Sequence, residues 1–420
     1  MLNKKSEKSD QGRLLLEEFN LLGLDVEDIL SLLQAALEYR QIQIDYDLNK
    51  WEFSIDQDEE VSPVCGLFNS KRTKIKTIEL NYPGHNFFHR INFLIQSLKN
   101  PIVTKVSRVM FSNKLLTGYV EVKDHFRIYP IHEWVSIVDS GIVPSQMIIG
   151  GHDHNIDKFG PPFPIIIEVE VDVSIEHPLF IKRRNTKLDC YQYIVSLCIR
   201  GISPITFLSQ DRIWTGHFNL EKTEFAYRLA NFGMNTEDEP SFDRYVSEGG
   251  KESVWYDEEV DYLDALLLGQ KLMIPKNVFQ FFKEFEQLDV EKKQNFIRAA
   301  FLFSQAEFLK NHNAESAVTY VSAIECLFEN EEVIRCETCN VEKLSLSVKF
   351  KKFMETFAPT SEHTINKRKK MYDTRSKSAH GIHVSRIDGE AGQIFGVRMN
   401  EYLFSCLTRK ALFNWLMSKK

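Results

Sequence analysis

The sequence predicts an α+β protein: a strand-rich mixed domain followed by an all-helical bundle. Three observations predict it. Between residue 41 and about residue 235, short runs alternate apolar and polar residues, the period of half-buried strands. After Pro275 the apolar spacing changes to three and four residues and keeps that period to the end. Between the two lies an acidic stretch, residues 236 to 264. The expected divisions are an N-terminal tail with helices over 1–40, a mixed sensor or regulatory domain with an acidic linker over 41–255, and a helical bundle over 256–420.

The first residues, MLNKKSEKSDQGR, are polar and read as disordered. Residues 13 to 40 have helical spacing. In DVEDILSLLQAALEYR, Val26, Ile29, Leu32, Leu33 and Leu37 make one apolar face, with Asp25 as N-cap. QIQIDYDL, WEFSID, KTIELNY, VTKVSRVMF, TGYVEVKDHFRIY and PIIIEVEVDVSI read as strands, and GGHDHNIDKFGPPFP as a loop. From about 187 to 232, helix and strand cannot be separated by period. The acidic stretch carries eleven acids against Arg244 and Lys251 and reads as a linker or exposed lobe, with an acidic docking surface as the alternative. VEKKQNFIRAAFLFSQAEFLK, NAESAVTYVSAIECLFE (starting at Asn313 or Ala314), EKLSLSVKFKKFMETF, TINKRKKMYDTRSKSAH and EYLFSCLTRKALFNWLMS then read as helices joined by short loops, hence as antiparallel neighbours in a bundle.

A net charge of −7 excludes a chain that is basic all over, so any nucleic-acid contact must come from a local patch. Seven cysteines, no leader and no apolar run long enough to span a bilayer lead to the expectation of a cytoplasmic protein with free thiols and no membrane partner. Cys336 and Cys339 have the spacing of half a zinc site, but no second such pair exists, so unligated thiols and no metal are expected. His152, Asp153 and His154 read as a loop tip, with metal ligation as the alternative, His85 and His89 as packing or surface groups, and Lys182, Arg183 and Arg184 as a solvated turn, with a nucleic-acid contact as the alternative. No phosphate-binding loop, dinucleotide fingerprint or nucleophile elbow is present, and no cofactor is expected.

The stretch MYDTRSKSAHG, residues 371 to 381, carries the chemistry. Arg375 and His380 lie about 140° apart around a helix axis, so one flat face does not hold both. Gly381 suits a helix end. A histidine in the last turn is favoured in its protonated form by the helix dipole and can serve as general acid or base. Arg375 stays charged and can grip a phosphate oxygen at two points. Together they fit cleavage of RNA without a metal, with Lys367, Arg368, Lys369, Lys370 and Lys377 holding the backbone. The bland alternative is a solvated, charged helix end.

YDTRSKSAHG also resembles the signature of the Apea-like branch of HEPN domains. SAVTYVSAIECLFE is similar to that branch's helix ending in Glu-x-Leu-Phe, and EKLSLSVKFKKFM to its next helix. The resemblance covers about residues 293 to 418 and none of the first 250. It implies an all-α bundle that dimerises, with a composite cleft where two Arg-His motifs face each other. It implies a metal-independent endoribonuclease of antiviral, abortive-infection or toxin type, answering to a phage-derived trigger. Arg375 and His380 take the catalytic roles, with Ser376 in the polar position after the arginine. Tyr372 is structural, and Asp373 and Glu325 are supporting groups. Two rivals remain: a non-catalytic dimerisation or binding module, and a zinc-stabilised adaptor built on Cys336 and Cys339.

Overall fold

The fold is seen in a computed structural model that describes residues 2–37, 42–45, 49–53, 64–71, 73–80, 86–112, 114–131, 136–137, 163–203, 214–219, 223–229, 234–252, 255–256, 272, 274–309, 313–328, 346–359, 362–379 and 391–419. It is α+β, with antiparallel sheets and a set of helices. The chain divides into two compact units, residues 1–106 with 170–187 and residues 107–169 with 188–420. The chain passes between the units at 106, 169 and 187.

The first unit opens with α1 (Leu2–Leu21) and α2 (Val26–Ala36). The expected disordered start is thus corrected: the helix begins at Leu2, and its later turns bury Phe19. Asp25 caps α2 as expected, its carboxylate accepting the Asp28 N–H at 2.8 Å. Four strands follow, β1 (Ile42–Asp45), β2 (Lys50–Phe53), β3 (Val64–Phe68) and β4 (Ile75–Leu80), as an antiparallel meander in that order. Trp51, Val64, Phe68, Ile75, Ile78 and Leu80 pack with α1, α2 and α3 (Phe87–Lys99) into one core. Gly66 is required there. A Cβ on it would sit 2.1 Å from the Thr77 carbonyl oxygen and 2.6 Å from the Trp51 ring, so only a bare backbone lets the indole lie across β3. The helix α3 was not expected, although Phe87, Ile91 and Ile95 are buried at a spacing of four.

The second unit holds most of a five-stranded sheet. Its strands are β5 (Thr104–Ser112), β6 (Val120–Val122), β7 (Phe126–Pro130), β9 (Phe163–Val171) and β10 (Ile202–Ser203), ordered β10-β5-β9-β7-β6, with β8 (Ser136–Ile137) belonging to a different sheet. Between β9 and β10 the chain forms α4 (Phe180–Cys198). In β9, Ile165 to Val169 are all buried, as in a strand covered on both sides. Within α4, Lys182 is helical rather than in a solvated turn, and in the first unit it reaches the Asp25 and Asp28 carboxylates. Burial works against that ammonium, but hydrogen bonds to Asp25 and Asp28 outweigh it and push the lysine pKa up. The strands β11 (Thr215–Asn219), β12 (Glu224–Leu229) and β13 (Met234–Thr236) form a second sheet with β8.

The acidic stretch is no linker over its described part. Residues 242–247 form α5 (Phe242–Ser247), whose Phe242 and Tyr245 enter the core beside Tyr129. The buried Glu168 carboxylate accepts the Phe242 N–H at 2.8 Å, and Tyr245 stacks on Tyr129 at 5.4 Å. Of the rest of the stretch, residues 257–264 lie outside the described residues, as do His85, His152, Asp153 and His154.

A short parallel pair, β14 (Trp255–Tyr256) and β15 (Ile274–Pro275), precedes the helices α6 (Val278–Gln287), α7 (Val290–Phe308), α8 (Asn313–Glu325), α9 (Leu346–Phe357), α10 (Glu362–Ala379) and α11 (Ala391–Met417). The helix α8 starts at Asn313, packs against α7, α10 and α11, and buries Ala317, Tyr320, Val321, Ala323 and Ile324 completely. From α11, Arg409 donates to the Ser196 and Leu197 carbonyls at 2.6 and 2.7 Å, satisfying acceptors in the last turn of α4. No helix among the described residues is long and apolar enough to cross a membrane.

Candidate active site at the junction of α8 and α10

The burial of α10 follows its period. Arg368 and Met371 face inward, Tyr372 and Arg375 are half-buried on the same side, and Ile365, Asn366, Lys369 and Asp373 are exposed. Arg375 meets Glu325, the last residue of α8, through an ion pair of 3.0 Å from Nη2 to Oε2. The two side chains are 24% and 17% exposed, so solvent screens the pair only partly. A carboxylate at the negative end of a helix is unfavourable alone, and the guanidinium offsets both charges. The Arg375 guanidinium also lies 5.9 Å from the Tyr372 ring centre, and Tyr372 packs against Phe350 of α9 at 5.1 Å. Burial pushes the Tyr372 phenol up and Glu325 adds to this, against the lowering influence of Arg375.

Glu325 is only half satisfied. Its Oε1 is buried and has no hydrogen-bond partner among the described residues. An unpaired buried acceptor costs about 1–3 kcal/mol, and such groups mark sites where another donor belongs. Arg375 likewise engages Glu325 through one nitrogen, leaving guanidinium donors with no protein partner among the described residues. The junction therefore combines a paired cation that has further donors without a partner among the described residues and a buried carboxylate oxygen that likewise has none among them.

Of the sequence-predicted residues, Arg375, Glu325 and Tyr372 are brought together, and Ser376 is the half-buried neighbour on α10. Asp373 is exposed on another side of the helix, away from the pair. Lys369 is exposed, but Arg368 is 8% exposed with its Nε buried, so it does not belong to an exposed backbone-holding face. Lys367, Lys370 and Lys377 lie on α10, but their side chains are outside the described residues. His380, Gly381, Cys336 and Cys339 are outside them altogether. Among the described residues no cluster of three or more His, Cys, Asp or Glu could hold a metal. Phe350 was not singled out from sequence; its signal was its place on the apolar face with Phe353 and Met354. Comparison with protein-family models, curated proteins and solved structures finds no match to the chain.

Proposed function

We propose that this chain is an endoribonuclease of the HEPN type that cuts RNA without a metal, acts as a two-fold dimer and serves an antiviral or toxin-like role. In this reading Arg375 binds the scissile phosphate and stabilises the charge that develops on it. His380 moves the proton from the 2′-hydroxyl or to the leaving oxygen. Glu325 holds the guanidinium in place from α8. The observation that supports the reading is the Arg375–Glu325 pair, whose Oε1 and remaining guanidinium donors have no partner among the described residues, at the level of the helix where the signature residues fall.

A second reading has its own observation: Arg375 already has a counter-ion, as a purely structural staple would. The chain would then be a dimerisation or binding module. Incubating the full chain with RNA in the presence and absence of EDTA separates the two. The first reading expects cleavage unaffected by EDTA and abolished in His380→Ala; the second expects no cleavage above buffer.

A further inference from the structure

We propose that the hairpin joining β3 and β4 is a contact for the phosphate backbone of nucleic acid. It lies in the first unit, and the proposal does not depend on the nuclease reading.

Between Val64 and Leu80 the sequence has four cations, Lys71, Arg72, Lys74 and Lys76, and one acid, Glu79, in a chain of net charge −7. Lys71, Lys74 and Lys76 are exposed, and none of their ammonium groups has a hydrogen-bond or ion-pair partner among the described residues. The half-buried Lys50 and the exposed Lys351 sit beside carboxylates, Glu52 and Glu355, whereas what sets the hairpin apart is three exposed lysines within six residues of one turn. Arg72 lies outside the described residues and is not needed for the argument.

The turn that carries these lysines is built. The Asn69 side chain accepts the Thr73 and Lys74 N–H groups at 2.7 and 3.2 Å, and its amide donates to the Thr73 hydroxyl at 2.9 Å. The Asn69 N–H closes the loop on the Lys74 carbonyl at 2.9 Å. The polar groups of Asn69 and Thr73 are thereby used within the turn, and the lysines, with the exposed Ser70, are what it offers to a partner. A register shift at Leu67 and Phe68 leaves both Lys76 and Thr77 exposed, which broadens the cationic face. The base of the hairpin is anchored in the core by Phe68 and Ile75.

Exposed cations with no partner among the described residues, and with no aromatic residue between them to stack on a base, suit a repeating anion better than a particular base sequence. Nucleic acid is favoured over an acidic protein because its charges recur regularly along a strand, and because each neutralised phosphate releases counterions. Binding should therefore be insensitive to sequence and steeply dependent on salt.

The test uses the full chain, a fluorescein-labelled 2′-O-methyl RNA strand that no 2′-hydroxyl chemistry can cut, and its duplex, read by anisotropy across a salt series. For the single strand, replacing Lys71, Lys74 and Lys76 by Gln should lower the slope of log K against log salt by about 2, from about 0.7 per phosphate contact. Affinity at low salt should fall more than about tenfold. The thermal midpoint should not move, and the triple Lys→Arg variant should bind as the parent does. An unchanged affinity and slope in the Gln variant overturns the proposal. So does a parent chain that binds heparin or an acidic peptide but neither nucleic acid.

Discussion

Two basic runs in this chain, residues 71–76 and 367–370, look alike as sequence and end in different environments. In the hairpin, Lys71, Lys74 and Lys76 are all exposed. On α10, Arg368 is buried while its neighbour Lys369 is exposed. The difference is one of period. Four consecutive cations on a helix point in directions about 100° apart, so a helix that packs on a bundle must turn one of them inward. A tight exposed turn has no inner side, and a strand covered on one face hides only alternate residues. A cluster of basic letters is therefore evidence of a binding face in a hairpin and much weaker evidence on a packed helix.

Charge reversal gives the sharpest version of that contrast. Arg368→Glu places a carboxylate at a buried position and should cost about 3 kcal/mol or more, whereas Lys369→Glu should change stability by less than about 0.5 kcal/mol. Denaturant unfolding of the two variants checks this, and equal losses would mean the two residues share one environment. The next largest effect concerns the hairpin's base. Gly66→Ala must displace either the Thr77 carbonyl or Trp51, and should destabilise the first unit by about 2–3 kcal/mol. A midpoint unchanged from the parent would show that β3 has room the geometry denies. The smallest effect is Asn69→Ala, which removes the one oxygen that accepts two backbone N–H groups in the exposed turn and should cost about 1 kcal/mol. Weaker RNA binding in this variant, with all lysines intact, would show that the turn orders them.

What the sequence revealed depended on whether polar residues stayed on one side. Val26–Ala36 was legible because its apolar face is unbroken and Asp25 caps it. The helix α4 was not, because its buried part includes Gln192 and Ser196, and Lys182 to Lys187 crowd its first turns with charge. The acidic stretch hid α5 for a related reason: Phe242 and Tyr245 are two aromatic anchors among acids, and the partner of Phe242 is Glu168, far away in sequence. At the candidate site, Arg375 follows from the residue pattern and Glu325 only from the family resemblance. Their pairing across 50 positions, and the unmet Oε1, follow only from the packing of α8 on α10.

In the proposed reaction Arg375 does chemistry rather than only holding two helices together. The most direct measurement is the single-turnover rate of RNA cleavage by the parent, Arg375→Lys and His380→Ala in EDTA, set beside their thermal midpoints. An ammonium can keep the ion pair with Glu325 but cannot reproduce the planar fork on a phosphate. Arg375→Lys should lose about 100-fold or more in rate while destabilising the chain by no more than about 1 kcal/mol, and His380→Ala should be inactive but folded. A parent chain with no EDTA-resistant cleavage, or an Arg375→Lys variant as fast as the parent, would contradict this role.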